Sequence, residues 1–150
     1  MSEQSRLVDA RNSAFIAVTA TYKLMHRNIT ALLAEEGLTQ PQFYALRVMA
    51  RHGPTPMKTL SDELWVTAAN ITGIVDRLES KGLIERAASK EDRRTTIVTL
   101  TAKGRKLQEG VAKKYTKFIQ KALQKLSREE QETLRGLLAR LQDEMSDLDG

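Results

Sequence analysis

Thr67-Ala68-Ala69-Asn70-Ile71-Thr72-Gly73-Ile74-Val75-Asp76-Arg77-Leu78-Glu79-Ser80-Lys81-Gly82 is the stretch on which the reading of the chain turns. Ala68, Ile71, Ile74, Val75 and Leu78 recur at the three-and-four spacing of one helix face; Thr67 stands where an N-cap belongs, and Gly82 supplies a C-terminal stop. With Ile71, Ile74, Val75 and Leu78 inward, Ala69, Asn70, Thr72, Gly73, Asp76 and Arg77 point outward, with Asn70, Gly73 and Arg77 on one exposed side. Small and polar outward residues suit a helix that enters the DNA major groove. There Asn can pair bidentately with adenine, Thr can touch a thymine methyl or a phosphate, and an N-cap such as Thr67 lies near the backbone. Arg77 is better suited to backbone or to a carboxylate. Taken singly, Thr67 is as well explained as a cap and Asn70 as a solvated residue; their joint placement favours recognition.

Working upstream, Thr55-Pro56 reads as N-cap and first helical residue of a short helix with Met57, Leu60 and Leu64 inward, ending near Trp65. Before it, Leu38-Thr39-Gln40-Pro41-Gln42-Phe43 carries a capping box between Thr39 and Gln42 and a hydrophobic staple between Leu38 and Phe43, opening a helix that runs to Gly53. The first helix shows one stripe, Phe15, Val18, Tyr22, Met25, Ile29 and Leu32, stopped by Gly37.

Downstream the period changes. Leu83 to Arg86 and Thr95 to Thr101 alternate or are β-branched around the polar loop 87–94, which predicts a two-stranded hairpin. Beyond Thr101 a long helix carries Leu107, Val111, Tyr115, Phe118, Ala122 and Leu126. Ser127-Arg128-Glu129-Glu130 then forms a second capping box before Leu134, Leu137, Leu138, Leu141, Met145 and Leu148. The expected fold is mostly α with a small β-hairpin: six helices, a winged helix-turn-helix module over 38–101, and a helical dimerisation region over 5–36 and 102–148, all within one unit of 150 residues.

Charge supports a polyanionic partner. The chain has a formal net charge of +5, and the segment from Arg77 to Lys106 holds nine Lys or Arg against four acidic residues, which accounts for the whole excess. Arg86, on the first hairpin strand, and Lys90, Arg93 and Arg94, at the hairpin tip, are the cations expected to meet DNA, by clamping phosphates or entering the minor groove. Asp92 would be misplaced against phosphate; we assign it a supporting role, its carboxylate orienting Arg77, Arg93 or Arg94.

Leu60 to Leu83, followed by Asp92-Arg93-Arg94 and Val98-Thr99-Leu100-Thr101, resembles the MarR family of transcription regulators. The stretch Ile74 to Ile84 and Leu100-Thr101-Ala102-Lys103-Gly104 carry the likeness further. The resemblance implies a recognition helix bearing Thr67, Asn70 and Thr72, a wing bearing Arg93 and Arg94, and a homodimer held by the terminal helices. One departure is Gly73, where many relatives carry a larger polar or basic side chain. The resemblance also implies a crevice for a small aromatic or anionic effector, with Tyr22, His26 and Tyr44 as lining residues; the competing reading makes Tyr22 a core residue and His26 merely solvated.

The dimer is suggested independently by the apolar stripes of the first, fifth and sixth helices, which exceed what the central module covers. A twofold dimer matches a pseudo-palindromic operator with half-sites roughly 34 Å apart.

Other function classes fare worse. Without Cys there are no disulfides, thiolate metal sites or cysteine nucleophiles, and the two histidines, His26 and His52, lie on separate helices, so no catalytic residues, metal or cofactor are expected. No export signal or membrane-spanning run is visible, which makes a cytoplasmic location the expectation. The remaining alternatives are an architectural protein of low sequence preference and a winged-helix module that binds protein.

Overall fold

A computed structural model describes residues 3–148, with side chains from Asp9 onward. Its elements run α1 (Glu3–Ala34), α2 (Gln40–His52), β1 (Thr55–Pro56), α3 (Met57–Leu64), α4 (Ala68–Ser80), β2 (Ile84–Ala88), β3 (Thr96–Leu100), α5 (Ala102–Leu123) and α6 (Arg128–Asp147). The six expected helices are present. The chain falls into two compact units, residues 1–112, which include α1 and the first half of α5, and residues 113–150.

In the first unit the core is built from one face of each short helix. Phe43, Leu46 and Met49 of α2, Leu60 of α3, Val75 and Leu78 of α4 and Val98 of β3 are almost fully withdrawn from solvent. The helix starts follow the local chemistry. At α2 the Gln42 amide donates to Thr39 Oγ1 (3.4 Å) and the Thr39 amide donates back to Gln42 Oε1 (3.1 Å), with Leu38 and Phe43 buried on either side. Thr67 caps α4 by accepting the Asn70 amide at 3.2 Å. Past α4, Gly82 takes φ +70, letting the Gly82 and Leu83 amides turn back to Glu79 and Leu78.

The sheet corrects two expectations. It has three strands in the order β1-β3-β2, all antiparallel, instead of a bare hairpin. Thr55, expected as the N-cap of α3, lies in β1 opposite Val98, and its hydroxyl donates to the Gly53 carbonyl at 2.8 Å; Pro56 occupies the cap position without a side-chain bond. Partner-strand hydrogen bonds outcompeted the cap.

The turn between α3 and α4 is unusual. The Trp65 amide reaches Asp62 O (3.2 Å) and the Val66 amide reaches Ser61 O (3.1 Å), a Schellman-type ending whose left-handed residue is normally glycine. Trp65 occupies it at φ 56, a conformation that costs a side-chain-bearing residue roughly 1–2 kcal/mol.

At the other end of α4, the Thr101 hydroxyl donates to Gly82 O (2.7 Å) and accepts from the Gly104 amide (3.0 Å), while the Thr101 amide donates to Leu83 O (3.1 Å). The first turn of α5 therefore sits on the α4–β2 turn with only a glycine between the two backbones.

The stripe on α1 divides. Ile29 is buried, but Phe15 (61% exposed), Tyr22 (65%) and Met25 face out, so Tyr22 is not a core residue. In the second unit, α6 opens with the Ser127–Glu130 capping box and buries none of its residues. Leu134, Leu137, Leu141, Met145 and Leu148 are exposed, and Leu126, expected within the preceding helix, falls in the turn after it.

Candidate nucleic-acid interface

Helix α4 turns Ile71, Val75 and Leu78 inward and leaves Ala68, Ala69, Asn70, Thr72, Asp76 and Arg77 exposed. Ile74, expected inward, is only half-buried. The Thr72 hydroxyl donates to Ala68 O at 2.9 Å, which holds its rotamer and leaves its methyl and lone pairs outward. Thr67 spends its oxygen on the cap, while the side chains of Asn70 and Arg77 have no partner among the described residues. A Cβ on Gly73 would meet nothing within 4 Å, so its bare surface is a choice of side chain and not a packing necessity.

Arg86 behaves differently from the expectation of a DNA-facing cation. Its guanidinium bridges Asp76 (Nη1 to Oδ1, 2.7 Å) and Glu79 (Nη2 to Oε2, 2.6 Å; Nε to Oε2, 3.0 Å), and its backbone amide also reaches Glu79 Oε1 at 3.3 Å. Its hydrogen bond with Glu79, more than that with Asp76, raises the guanidinium pKa above its ordinary value against the opposing pull of burial. Two consequences follow. Strand β2 is tied to the outer flank of α4, and the single guanidinium offsets one of the two negative charges that Asp76 and Glu79 place there. Glu79 and Asp76 thus belong to the site through Arg86. The sequence carried a faint sign of this, since both acids lie on a helix whose outer face was to meet a polyanion.

At the wing tip the structure places Lys90, Arg93 and Arg94 outward, their side chains without hydrogen bonds or ion pairs among the described residues. Asp92 supports the tip, but not by orienting an arginine. Its Oδ1 accepts the Arg94 backbone amide (3.0 Å) and its Oδ2 the Thr95 hydroxyl (3.3 Å), while the Thr95 amide donates to Asp92 O (2.9 Å). Ser89 Oγ accepts the Glu91 amide, and the Ser89 amide donates to Thr95 O. A short acceptor two residues before a backbone N–H closes such a turn without any cation, so the guanidinium groups stay available.

Away from this face, the structure brings Tyr22, His26 and Tyr44 to one cleft of about 690 Å³, together with Gln40, Arg47 and Arg51. The Gln40 amide donates to His26 O (3.0 Å) and Thr30 Oγ1 (2.8 Å) and lies 3.1 Å from His26 Nδ1. The cleft offers aromatic walls, two guanidinium groups and a hydroxyl-bearing ring on each of α1 and α2. No cluster of three or more metal-ligating side chains occurs among the described residues, and none of their helices is long and apolar enough to cross a membrane.

Comparison with known proteins agrees with this geometry. Residues 38–96 match the family model described as MarR family. MhqR, an HTH-type transcriptional regulator of Bacillus subtilis, is 29% identical over 127 residues, covering 85% of this chain and 88% of the relative. The regulator YfiV of the same organism is 31% identical over 97 residues, 65% of this chain and 61% of YfiV's own length. Among solved structures, a probable transcriptional regulator from Pseudomonas aeruginosa is 38% identical with a TM-score of 0.71, covering 83% of this chain and 96% of that one. NadR, solved in complex with 4-hydroxyphenylacetate, is 27% identical with a TM-score of 0.70, over 84% and 89% of the two chains.

Proposed function

The chain belongs to the MarR family of DNA-binding transcription regulators, and on that footing we propose that it works as a homodimeric repressor of a pseudo-palindromic duplex operator. Helix α4 lies in the major groove, with Asn70 on a base edge and Thr72 and Ala69 against bases or thymine methyls; Thr67 and Arg77 meet the backbone. Lys90, Arg93 and Arg94 of the wing hold flanking phosphates or enter the minor groove. Arg86 acts from behind, setting the wing against α4. The carrying observation is the pairing of an outer helix face of small and polar side chains, its two carboxylates bridged by Arg86, with a wing tip whose cations are uncommitted.

The exposed apolar residues of α1 and of α6 support the dimer, because surface of that extent is covered by a second copy at little cost in specificity. A dimer seated on a promoter excludes other proteins from it, which is the basis for reading repression. The cleft containing Tyr22, His26 and Tyr44 takes a small aromatic anion. Such an effector releases DNA only if it binds the DNA-incompetent arrangement more tightly than the competent one.

Selection of bound duplexes from a random pool at physiological salt tests the reading, followed by titration of the best site against a scrambled one. A discrete pseudo-palindrome bound far more tightly than the scramble is expected. Equal affinities with a steep salt dependence would replace the regulator with an architectural protein. Sedimentation reports the dimer, and 4-hydroxyphenylacetate, added to the preformed complex, is the first effector to try.

A further inference from the structure

Trp65 is the only tryptophan in the chain, and it is 89% exposed in a left-handed position that glycine fills without strain. The fold gains nothing from it: the side chain buries almost no surface, and its ring N–H has no acceptor among the described residues. A large apolar side chain kept in a strained and exposed position is one whose contact lies outside the chain.

Its place says what that contact is. Trp65 stands in the turn directly before α4, two residues from the Thr67 cap, at the end of the helix where the Ala68 and Ala69 amides begin the positive pole. We propose that Trp65 is a DNA-contacting residue, its ring lying against a deoxyribose of the strand that flanks the major groove and its Nε1–H donating to a phosphate oxygen. The inference rests on the DNA-binding reading of α4. Indole has a donor and no acceptor, which suits an acceptor-only phosphate. The exposed residues nearest it in sequence, Asp62, Glu63, Thr67, Ala68 and Ala69, are polar or small, and its apolar neighbours Leu64 and Val66 are half-buried, so no fully exposed apolar residue flanks the ring in sequence.

The single tryptophan makes the test direct. The selected operator, fluorescently labelled, is titrated with protein while anisotropy reports binding and tryptophan emission reports the ring. Emission is expected to change in step with anisotropy. Trp65→Gly, which relieves the backbone, is expected to melt no lower than the parent yet to bind about tenfold more weakly, with the salt slope unchanged because no charge is removed. Trp65→Phe, keeping the ring and losing the donor, should fall between them. Unaltered emission through a saturating titration, or parental affinity in Trp65→Gly, overturns the proposal. So does emission that follows protein concentration without DNA while Trp65→Gly dissociates into monomers, since the ring would then be a subunit contact. Absence of any anisotropy change with the parent protein refutes the DNA-binding reading itself, which keeps the two failures apart.

Discussion

Gly104→Ala and Gly110→Ala are the same chemical change in the same helix, yet the structure demands opposite outcomes. An alanine Cβ at 104 would overlap the Leu83 carbonyl oxygen and approach the carbonyl carbon to 2.8 Å and the Cα to 3.2 Å. These are backbone atoms that cannot swing aside, because the Leu83 amide is bonded to Leu78 O, its carbonyl accepts from Thr101, and its side chain is buried. Relief requires α5 and the α4–β2 turn to separate, which strains the Thr101 bonds to Gly82 and Leu83. Overpacking of this kind costs about 1–3 kcal/mol, with a rigid backbone contact toward the upper end. The better helix propensity of alanine returns only about 0.5–1 kcal/mol. The net expectation for Gly104→Ala is a loss of about 2 kcal/mol, whereas Gly110→Ala, whose Cβ meets nothing within 4 Å, gains up to about 1 kcal/mol. Urea unfolding followed by far-UV circular dichroism, at matched protein concentration because the stability of the proposed dimer would depend on it, reads both. Gly104→Ala unfolding at or above the parental midpoint would refute the reasoning, whatever Gly110→Ala does.

Arg86→Ala is expected to lower operator affinity about tenfold while leaving the salt slope alone; a slope reduced by about 0.9 would instead make Arg86 a phosphate contact. Its cost in stability should stay within about 1 kcal/mol, because the bridge is partly solvated, and chemical unfolding checks that. Removing one arm of the α2 capping box with Thr39→Ala should cost about 1 kcal/mol, visible as a lowered urea midpoint at constant m-value. Asp92→Ala is expected to accelerate hydrogen exchange at the Arg94 amide without moving the global midpoint, and unchanged exchange there would show that the tip closes without its carboxylate.

The elements legible in the sequence were those fixed by neighbours a few residues apart. Thr39 with Gln42, Thr67 with Asn70 and Ser127 with Glu130 each complete a hydrogen bond within one helical turn, so residue type and spacing suffice to place the start. What was not legible depended on distant partners. Thr55 satisfies every local requirement of a cap and lies in a strand because Val98 is opposite it. Arg86 looked like one more cation for DNA because the turn that returns it to Asp76 and Glu79 cannot be deduced from charge counts. For Asp92 the role was visible and the partner was not, since a backbone amide leaves no trace in residue types. The α1 stripe announced an apolar face without saying which side would be covered, and Tyr22 proved to be exposed.

The small pairing of Thr55 and Pro56 with Val98 and Ile97 has a consequence for how the domain is assembled. It closes the base of a chain loop that contains α3, α4 and the wing, so α4 is part of a covalently continuous ring with a hydrogen-bonded clasp. Closing so long a loop is slow relative to forming its helices, and the entropy is lost before the clasp forms. Helix α4 can therefore form early, but its docking becomes final only when β3 has been placed. A chain truncated between α4 and β3 would keep every residue of α4 and lack the strand that fastens its frame.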